Sequence, residues 1–318
     1  MRVPEEVISY LKEKNDFLIA THINPEGDAL GSSIALSMAL ESIGKKVIVY
    51  DRDPVPYFYR FLPGHERFTN SISNLEYPIP NLILLDCNDP ERAELSDFVR
   101  KHQPFIIVID HHETERESGD LKWIVPNASA TGQMIFHLIR ALGIDISAEM
   151  ANNLYTAIAI DTGTFRYSNT DASTLLDASE LVRAGAEPAL IATALYDTWS
   201  RGRFELLILT LNTMEIRQGI AVTVVTKEMF QKTGTDASDT ENFANFPRMI
   251  ADVKISAFFR EIEGGWKVSL RSKGDINVAE IAETFSGGGH RNAAGYKIKG
   301  DLFEAKEALI REVKRRLV

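Results

Sequence analysis

Cysteine is nearly absent from this sequence of 318 residues, which contains only Cys87. A single cysteine excludes an internal disulfide framework and a cysteine-based zinc site. Because Cys87 follows an apolar run, we expect it to be a small buried side chain. Long apolar runs are also missing: stretches such as FIIVI at 105–109 are far too short to span a membrane. The first residues lack the basic-then-apolar order of a signal peptide, and we expect a cytoplasmic protein.

Basic residues are in deficit. The sequence has 35 Lys and Arg against 45 Asp and Glu, and its formal net charge is −10. This balance argues against a broad electrostatic grip on long nucleic acid. It permits a phosphate-containing substrate, because metal ions and a few arginines can reverse the sign of the charge locally.

The pattern of apolar residues divides the chain into three parts. Over residues 1–185, short apolar strands alternate with helical patterns, which predicts an α/β domain with a parallel sheet and helices on both faces. Residues 186–215 predict one long helical connector. Residues 216–318 predict a second, smaller α/β domain, in which a hairpin turns at Gly264-Gly265.

Potential metal ligands follow the predicted strands of the first part. They are His22, Glu26 and Asp28 in THINPEGDALGS, Asp86 in LLDCND, Asp110, His111 and His112 in VIDHHE, and Asp161 in AIAIDTGTF. Because the carboxyl ends of parallel strands meet at one edge of a sheet, we expect these side chains to converge. Carboxylates with a minority of imidazoles suit Mn²⁺ or Mg²⁺. The set exceeds the needs of one ion and would suit two ions about 3.5–4 Å apart.

Each of these residues also has a structural alternative. Asp28 is a suitable N-cap for a helix beginning at Ala29, and Asp86 could end a strand at a turn. His22 could be a packed histidine at a strand end. Their joint occurrence at equivalent strand ends is what favours a metal site.

These four segments, in this order, resemble the four motifs of the DHH phosphoesterase superfamily, named after the triplet Asp110-His111-His112. The resemblance covers nearly the whole chain, because GGGHRNAAG resembles the signature of the DHH-associated domain. It implies metal-dependent hydrolysis of phosphoesters with two Mn²⁺ ions per chain, Mg²⁺ or Co²⁺ being alternatives. Carried onto this sequence, it assigns one ion to His22, Glu26 and Asp86, and the other to Asp28, Asp86, His111 and Asp161.

The resemblance also implies catalytic roles for three residues. Asp86 would bridge the ions, His112 would face the phosphate, and Asp110 would orient a histidine through its ring N–H. Glu26 departs from the superfamily, which usually has Asp at this position. The extra methylene group shifts the carboxylate outward.

A glycine run predicts substrate binding by the second domain. Consecutive glycines let backbone N–H groups approach an anion closely, and the following residues supply charged donors, whereas the structural alternative is a flexible turn. The predicted contacts are Gly287, Gly288, Gly289, His290 and Arg291. Arg271 in VSLRSKG matches a position that the DHH-associated domain uses to contact substrate, and its alternative is a surface arginine at a strand end.

Two-domain members of this superfamily with this ending resemble nanoRNases, which degrade oligonucleotides of a few residues and often dephosphorylate pAp. We therefore expect short RNA oligonucleotides or dinucleotides such as pApA, and pAp, as substrates. Hydrolysis of cyclic di-AMP is the alternative. An inorganic pyrophosphatase and a non-catalytic nucleotide sensor are less favoured, since the former has a different second domain and the latter would lack a metal ligand. The resemblance favours a homodimer and gives no reason to expect a membrane.

Overall fold

The computed structural model describes residues 1–72, 79–112 and 118–317. For His290 and Leu317 it describes the backbone but not the side chain. The chain forms two compact units, Met1–Thr198 and Trp199–Val318. Throughout the described ranges, no helix is both long enough and apolar enough to cross a membrane.

A six-stranded parallel sheet organises the first unit, and its order is β3-β2-β1-β4-β5-β6. The strands are β1 (Phe17–Ala20), β2 (Val47–Tyr50), β3 (Phe68–Thr69), β4 (Asn81–Leu85), β5 (Phe105–Asp110) and β6 (Leu121–Ile124). The helices are α1 (Glu5–Glu13), α2 (Gly27–Ser42), α3 (Ser96–His102), α4 (Thr131–Leu142), α5 (Ala148–Asp161), α6 (Ala172–Arg183) and α7 (Pro188–Tyr196). This architecture confirms the predicted parallel sheet.

Alternate residues of each strand enter two separate apolar cores. Ile83 and Leu85 of β4 join the core that α1, α2, α4 and α5 cover. Leu82 and Leu84 face the opposite way, into a core that includes Cys87 and is flanked by Phe98 of α3. Strands buried on both faces explain the unbroken apolar runs of the sequence. The expected burial of Cys87 is confirmed.

The sheet has a topological switch point between β1 and β4. The chain adds β2 and β3 on one side of β1 and then returns to place β4 on the other side. At such a switch point, the connections leaving the two strands diverge and open a crevice beyond their carboxyl ends. Thr21–Glu26 leave β1 at this crevice, and Asp86 leaves β4.

Helices α2 and α5 pack closely and antiparallel beside the crevice. A Cβ atom at Gly31 of α2 would lie 2.4 Å from the carbonyl oxygen of Asn153 in α5, so only glycine permits this approach. A Cβ atom at Gly27 would lie 2.8 Å from Ile160. The beginning of α2 therefore lies against the end of α5, where Asp161 is the last helical residue.

The second unit is built on a mixed sheet of order β11-β12-β10-β9-β8-β7, in which β8 and β9 pair in parallel. Its strands are β7 (Glu215–Arg217), β8 (Ile220–Val225), β9 (Ile255–Ile262), β10 (Gly265–Ser272), β11 (Gly288–His290) and β12 (Ala293–Lys299). Its helices are α8 (Arg201–Asn212), α9 (Lys227–Thr233), α10 (Val278–Thr284) and α11 (Leu302–Leu317). Apolar residues of α10 and α11 pack on one face of the sheet. The smaller α/β domain is therefore confirmed.

Two segments differ from the prediction. Residues 186–215 contain α7 and α8 rather than one helix, because Ser200 begins a new helix by accepting a hydrogen bond from the backbone N–H of Arg203. The glycine run is not only a loop, since Gly288–His290 pairs with β12 as a strand. The domain limits at 185 and 215 stay a prediction.

Candidate metal centre

Four side chains from four separate segments meet at the carboxyl edge of the first sheet. The Nε2 atom of His111 lies 3.5 Å from Asp86 Oδ1. The same atom lies 3.6 Å from Asp28 Oδ2 and 3.6 Å from Asp161 Oδ2. We call these four residues the central cluster. The structure thus brings together every residue that the resemblance assigns to one of the two ions.

The other predicted ion site is only partly assembled. His22 Nε2 lies 3.5 Å from Asp86 Oδ2, so these two residues are adjacent. Glu26 is exposed at the N-cap of α2, where its side chain makes no capping bond. It belongs to neither of the two groups of closely spaced ligand atoms found among the described residues, which are Asp86 with His111 and His112, and Asp28 with His111 and Asp161.

Asp110 and His112 form a close pair beside the central cluster. His112 Nδ1 lies 2.6 Å from Asp110 Oδ1 and 3.6 Å from Asp86 Oδ1. Burial tends to raise the pKa of Asp110, but the hydrogen bond from His112 and the nearby charge of His112 together outweigh burial and lower that pKa. Asp110 is therefore an anion that accepts the Nδ1 proton, and this bond fixes the orientation of the His112 ring.

Asp28 caps a neighbouring helix rather than its own. Helix α2 begins at Gly27, so the alternative of an N-cap for a helix beginning at Ala29 does not hold. The Asp28 carboxylate accepts hydrogen bonds from the backbone N–H groups of Thr131, at 2.7 Å, and Gly132, at 2.8 Å. These groups begin α4, where the helix dipole favours an anion.

Thr131 joins two carboxylates of the central cluster, and sequence reasoning missed it. Besides its N–H bond to Asp28, its Oγ1 donates a hydrogen bond of 3.0 Å to Asp86 Oδ1. In the same segment, the carbonyl of Ala128 accepts a hydrogen bond from His111 Nδ1 at 3.1 Å. We call residues 128–132 the clamp segment, because it contacts three members of the central cluster. A threonine at a helix start is too common to reveal this role.

A second layer of hydrogen bonds holds the clamp segment itself. Ser129 donates to Gln133 Oε1 through both its backbone N–H and its hydroxyl. Gln133 Nε2 donates to Asp177 at 2.8 Å. Asn169 Nδ2 donates to the carbonyl of Ser129 at 2.9 Å and to that of Asp161 at 3.2 Å. These bonds keep the backbone donors in place when the cluster changes its charge.

The crowding of carboxylates alters their proton affinities. Burial and the nearby charge of Asp86 raise the pKa of Asp28 well above its usual value. Burial likewise raises the pKa of Asp161 to about 6, against the opposing charge of His111. Burial would lower the pKa of His111, but the charges of Asp161 and Asp86 outweigh it and raise that pKa well above its usual value. Without another cation, the cluster takes up protons.

Asp86 is the exception among these carboxylates. Burial would raise its pKa, but the imidazoles of His111 and His22 outweigh burial and hold it well below the usual value. Asp86 also has a left-handed backbone, with φ of 55°. Such a conformation is uncommon for a residue other than glycine and marks functional positions when the surroundings enforce it.

The donor set fits a divalent cation. The Nδ1 atoms of His111 and His22 donate to the backbone carbonyls of Ala128 and Ile23, so Nε2 of each ring directs a lone pair at carboxylate oxygens once it has lost its proton. Lone pairs facing each other at these distances need a positive charge between them. Octahedral coordination at about 2.1 Å places adjacent ligand atoms about 3 Å apart. The observed separations of 3.5 and 3.6 Å are about half an ångström longer, so a small inward shift of the side chains would complete such a shell. Carboxylate oxygens with imidazole nitrogens suit Mn²⁺ or Mg²⁺.

Asp51 is a second residue that sequence reasoning missed, although it directly follows β2 as Asp86 follows β4. It is buried, its Oδ1 accepts a hydrogen bond from the backbone N–H of Asp53, and its Oδ2 has no hydrogen-bond partner among the described residues. Burial raises the pKa of Asp51 to about 7, against the opposing charge of His22. Considering every strand end equally would have selected it.

The glycines predicted to bind substrate have different structural reasons. A Cβ atom at Gly287 would lie 2.2 Å from the carbonyl oxygen of Gly295, and one at Gly289 would lie 2.5 Å from that of Ala293, so packing requires both glycines. A Cβ atom at Gly288 would meet nothing within 4 Å. Packing does not require a glycine at this position, and close approach of a ligand is a reason for one.

The other predicted substrate contacts lie on or beside the same strands. Arg271 is half-buried near the end of β10, and its Nη1 donates to the carbonyl of Leu270 at 3.0 Å. Arg291 is exposed and donates to the carbonyl of Asp275 at 2.9 Å. The side chain of His290 lies outside the described part of the chain.

Two protein families match this chain. The family described as "DHH family, N-terminal domain" matches residues 16–159, and the one described as "DHHA1 domain" matches residues 218–318. These ranges fall within the two units of the structure.

Similar proteins match over nearly the full length. The chain is 35% identical over 318 residues to the bifunctional oligoribonuclease and PAP phosphatase NrnA of Thermus thermophilus, covering 100% of this chain and 94% of that protein. It is 27% identical over 303 residues to the protein of the same name from Bacillus subtilis, covering 92% of each. The crystal structure of an exopolyphosphatase-related protein from Bacteroides fragilis has a TM-score of 0.90 and 31% identity, covering 98% of this chain and 95% of that one.

Replacing Thr131 tests the clamp segment. Thr131→Val keeps the shape and the backbone N–H but removes the hydroxyl bond to Asp86, so we expect Mn²⁺ affinity to fall about 10- to 100-fold. Thr131→Ser keeps the hydroxyl and should stay near the wild type. Isothermal titration calorimetry measures both, with thermal unfolding as a check on folding. Wild-type affinity in a folded Thr131→Val protein would contradict the role.

The raised pKa values predict how stability depends on pH. Without metal, the folded cluster binds more protons through Asp28, Asp161 and His111 than the unfolded chain does. The free energy of unfolding should therefore fall as pH rises from about 5 to about 8. Asp86 has a lowered pKa, so its contribution to stability is lost only as pH falls below about 4. Saturating Mn²⁺ should reduce this fall by replacing the protons.

Urea unfolding of chelator-treated and Mn²⁺-loaded protein across this range measures the effect. Asp97→Asn, which removes an exposed carboxylate paired with Arg100 on α3, is the matched control and should keep the metal-free decline. The explanation fails if metal-free stability stays constant or rises over the same interval.

Proposed function

The chain belongs to the DHH family, and on this basis we propose that it is a metal-dependent phosphoesterase that hydrolyses short oligoribonucleotides, including pApA, and also pAp, to mononucleotides. The observation that carries the proposal is the meeting of three carboxylates at Nε2 of His111. A relative named as an oligoribonuclease and PAP phosphatase, similar over the whole chain, supports the substrate class.

The proposed cofactor is Mn²⁺, with two ions per chain. The central cluster would hold one ion, and His22 with Asp86 would contribute to the other. Glu26 would have to turn inward from its exposed position to take part. When bound, such cations activate water as a nucleophile and neutralise charge on the phosphoryl oxygens.

Asp86 is the residue best suited to serve both ions. Its Oδ1 lies near His111 and its Oδ2 near His22, so the two oxygens face different halves of the site. Its lowered pKa keeps it ionised at neutral pH, which a shared ligand requires. The hydroxyl of Thr131 fixes one of these oxygens in place.

His112 is the proposed contact to the reacting phosphate. Asp110 accepts the Nδ1 proton, which leaves Nε2 as the ring atom that donates to a phosphoryl or leaving oxygen. Because Asp110 is buried and ionised, it also stabilises positive charge on the ring when Nε2 is protonated. His112 thus has the support expected of a general acid.

The proposed substrates are short, and the second unit contributes to holding them. Gly288 and Arg271 are the contacts that the structure supports best, since one glycine has no packing reason and the arginine lies on the same sheet. The net charge of −10 disfavours long nucleic acid. A homodimer and a cytoplasmic location stay predictions from the sequence.

A hydrolysis panel tests the function. With Mn²⁺ present, we expect fast cleavage of 5′-phosphorylated RNA of two to about five nucleotides and of pAp, and slow cleavage of RNA of about twenty-four nucleotides. Asp86→Asn should reduce turnover to the background rate, since it removes the charge shared by both halves of the site. Asp97→Asn is the matched control for an exposed carboxylate and should keep full activity.

Chromatographic separation of the products gives the rates. Exclusive cleavage of cyclic di-AMP or of pyrophosphate would show that the proposed substrate class is wrong. Full activity in Asp86→Asn would show that the proposed site is wrong.

A further inference from the structure

The sheet of the second unit has one face that its helices α10 and α11 leave uncovered. Along β10, Trp266, Val268 and Leu270 enter the core beneath those helices. The alternate residues Lys267, Ser269 and Arg271 point the other way and are half-buried. We call this side of β9, β10, β12 and β11 the outer face. A smaller apolar cluster, which includes residues of α8 and Phe243, covers the outer face around Phe258 of β9. Ser256, on the same face of β9, is buried as well.

Three basic residues form a row across the outer face. Lys267 of β10 lies directly opposite Arg260 of β9 and opposite Lys297 of β12. Directly opposed residues have Cβ atoms about 4.5–5.5 Å apart, and like charges in such positions destabilise a sheet. We call these three residues the basic row.

Arg260, at one end of the basic row, has no bonded anion within the described part of the chain. Its side chain is half-buried, and it forms no ion pair or side-chain hydrogen bond with any residue that the structure describes. Asp236 is the acidic residue whose charge acts on it, from beyond ion-pair distance. A partly desolvated guanidinium without a bonded anion is well prepared to bind a phosphate.

Small residues line the outer face beside the basic row. Ser269 lies opposite Gly295 on β12, and Gly295 lies opposite Gly288 on β11. The space above Gly288 is open, as a Cβ atom there would meet nothing within 4 Å. The backbone of this part is therefore accessible to a ligand that lies across the strands.

Arg271 lies on β10 beyond these small residues, on the side away from the basic row. It is four residues beyond Lys267 on the same strand and on the same face, which corresponds to about 13 Å. One phosphate group cannot contact both residues at that distance. The basic row and Arg271 are therefore separated by a stretch of small residues. Positive charges spaced in this way match the spaced phosphates of a polyanionic chain.

We propose that the basic row of Arg260, Lys267 and Lys297 is a second phosphate subsite, which binds a phosphodiester farther along an oligonucleotide whose other phosphate is held near Arg271. This inference rests on the proposed function and deepens it. The row contributes binding energy to oligonucleotides of several residues and none to pAp or to a dinucleotide, whose phosphates do not reach it.

Kinetics on substrates of different length test the subsite. Arg260→Gln, Lys267→Gln and Lys297→Gln should each lower kcat/KM for a pentanucleotide about 3- to 10-fold, mainly through KM. Rates with pAp and the dinucleotide should not change. The slope of log KM against log salt for the pentanucleotide should become shallower by about 0.7 in each variant, because each substitution removes one cation that binds a phosphate.

The control variants separate this site from a general charge effect. Lys314→Gln removes the same charge from an exposed position of α11, on the covered side of the sheet, and should change nothing. Arg260→Lys keeps the charge and should recover part of the affinity. If Arg260→Gln fails to fold, the exposed Lys297 still provides the test.

Two results would overturn the proposed subsite: no loss of kcat/KM on the pentanucleotide, or an equal loss of kcat/KM on pAp.

A binding experiment distinguishes failure of the subsite from failure of the proposed function. It measures the fluorescence anisotropy of a labelled pentanucleotide with the Asp86→Asn protein as the parent of the basic-row variants. If the wild type cleaves no nucleotide but the basic-row variants bind the pentanucleotide more weakly, the subsite stands and the hydrolysis proposal falls. If the wild type cleaves short RNA and the variants bind it as tightly as the parent, only the subsite falls.

Discussion

The mutual repulsion of Asp28, Asp86 and Asp161 around one imidazole nitrogen is the constraint on which the first unit depends. Buried carboxylates at such distances need protons or cations, and the raised pKa values of two of them express that need. The fold meets the constraint with fixed dipoles and close packing. The first N–H groups of α4 bind Asp28, and Gly31 lets α2 approach α5 so that the segments bearing Asp28 and Asp161 come together.

Several separate segments contribute residues to the central cluster. The topology of the sheet explains which segments these are. The switch in strand order between β1 and β4 opens the crevice, and three of the four central residues come from the segments that follow β1, β4 and β5. The clamp segment then reaches the cluster from the start of α4 and connects it to a buried network through Ser129. Such a scaffold fixes ligand geometry before any ion binds, which is the usual way to gain metal affinity.

Sequence reasoning predicted the parallel sheet and the convergence of strand-end ligands, because both follow from apolar runs and from the geometry of parallel strands. It missed Thr131, whose role depends on a hydrogen bond across 45 positions of sequence that no local pattern reveals. Asp51 was missed although the same strand-end rule applies to it. The helical stretch predicted over residues 186–215 consists of two helices, because a serine cap starts a new helix at α8. Register made the difference in the second unit, since only the pairing of β9, β10 and β12 aligns Arg260, Lys267 and Lys297.

An acidic protein can thus bind an anionic substrate by confining positive charge to a few places. The most direct test of the proposed metal centre is anomalous diffraction from Mn²⁺-soaked crystals at the manganese absorption edge. We predict a peak among Asp28, Asp86, His111 and Asp161 and a second beside Asp86 and His22. Crystals that bind Mn²⁺ elsewhere, with no anomalous density at the central cluster, would contradict the proposed centre.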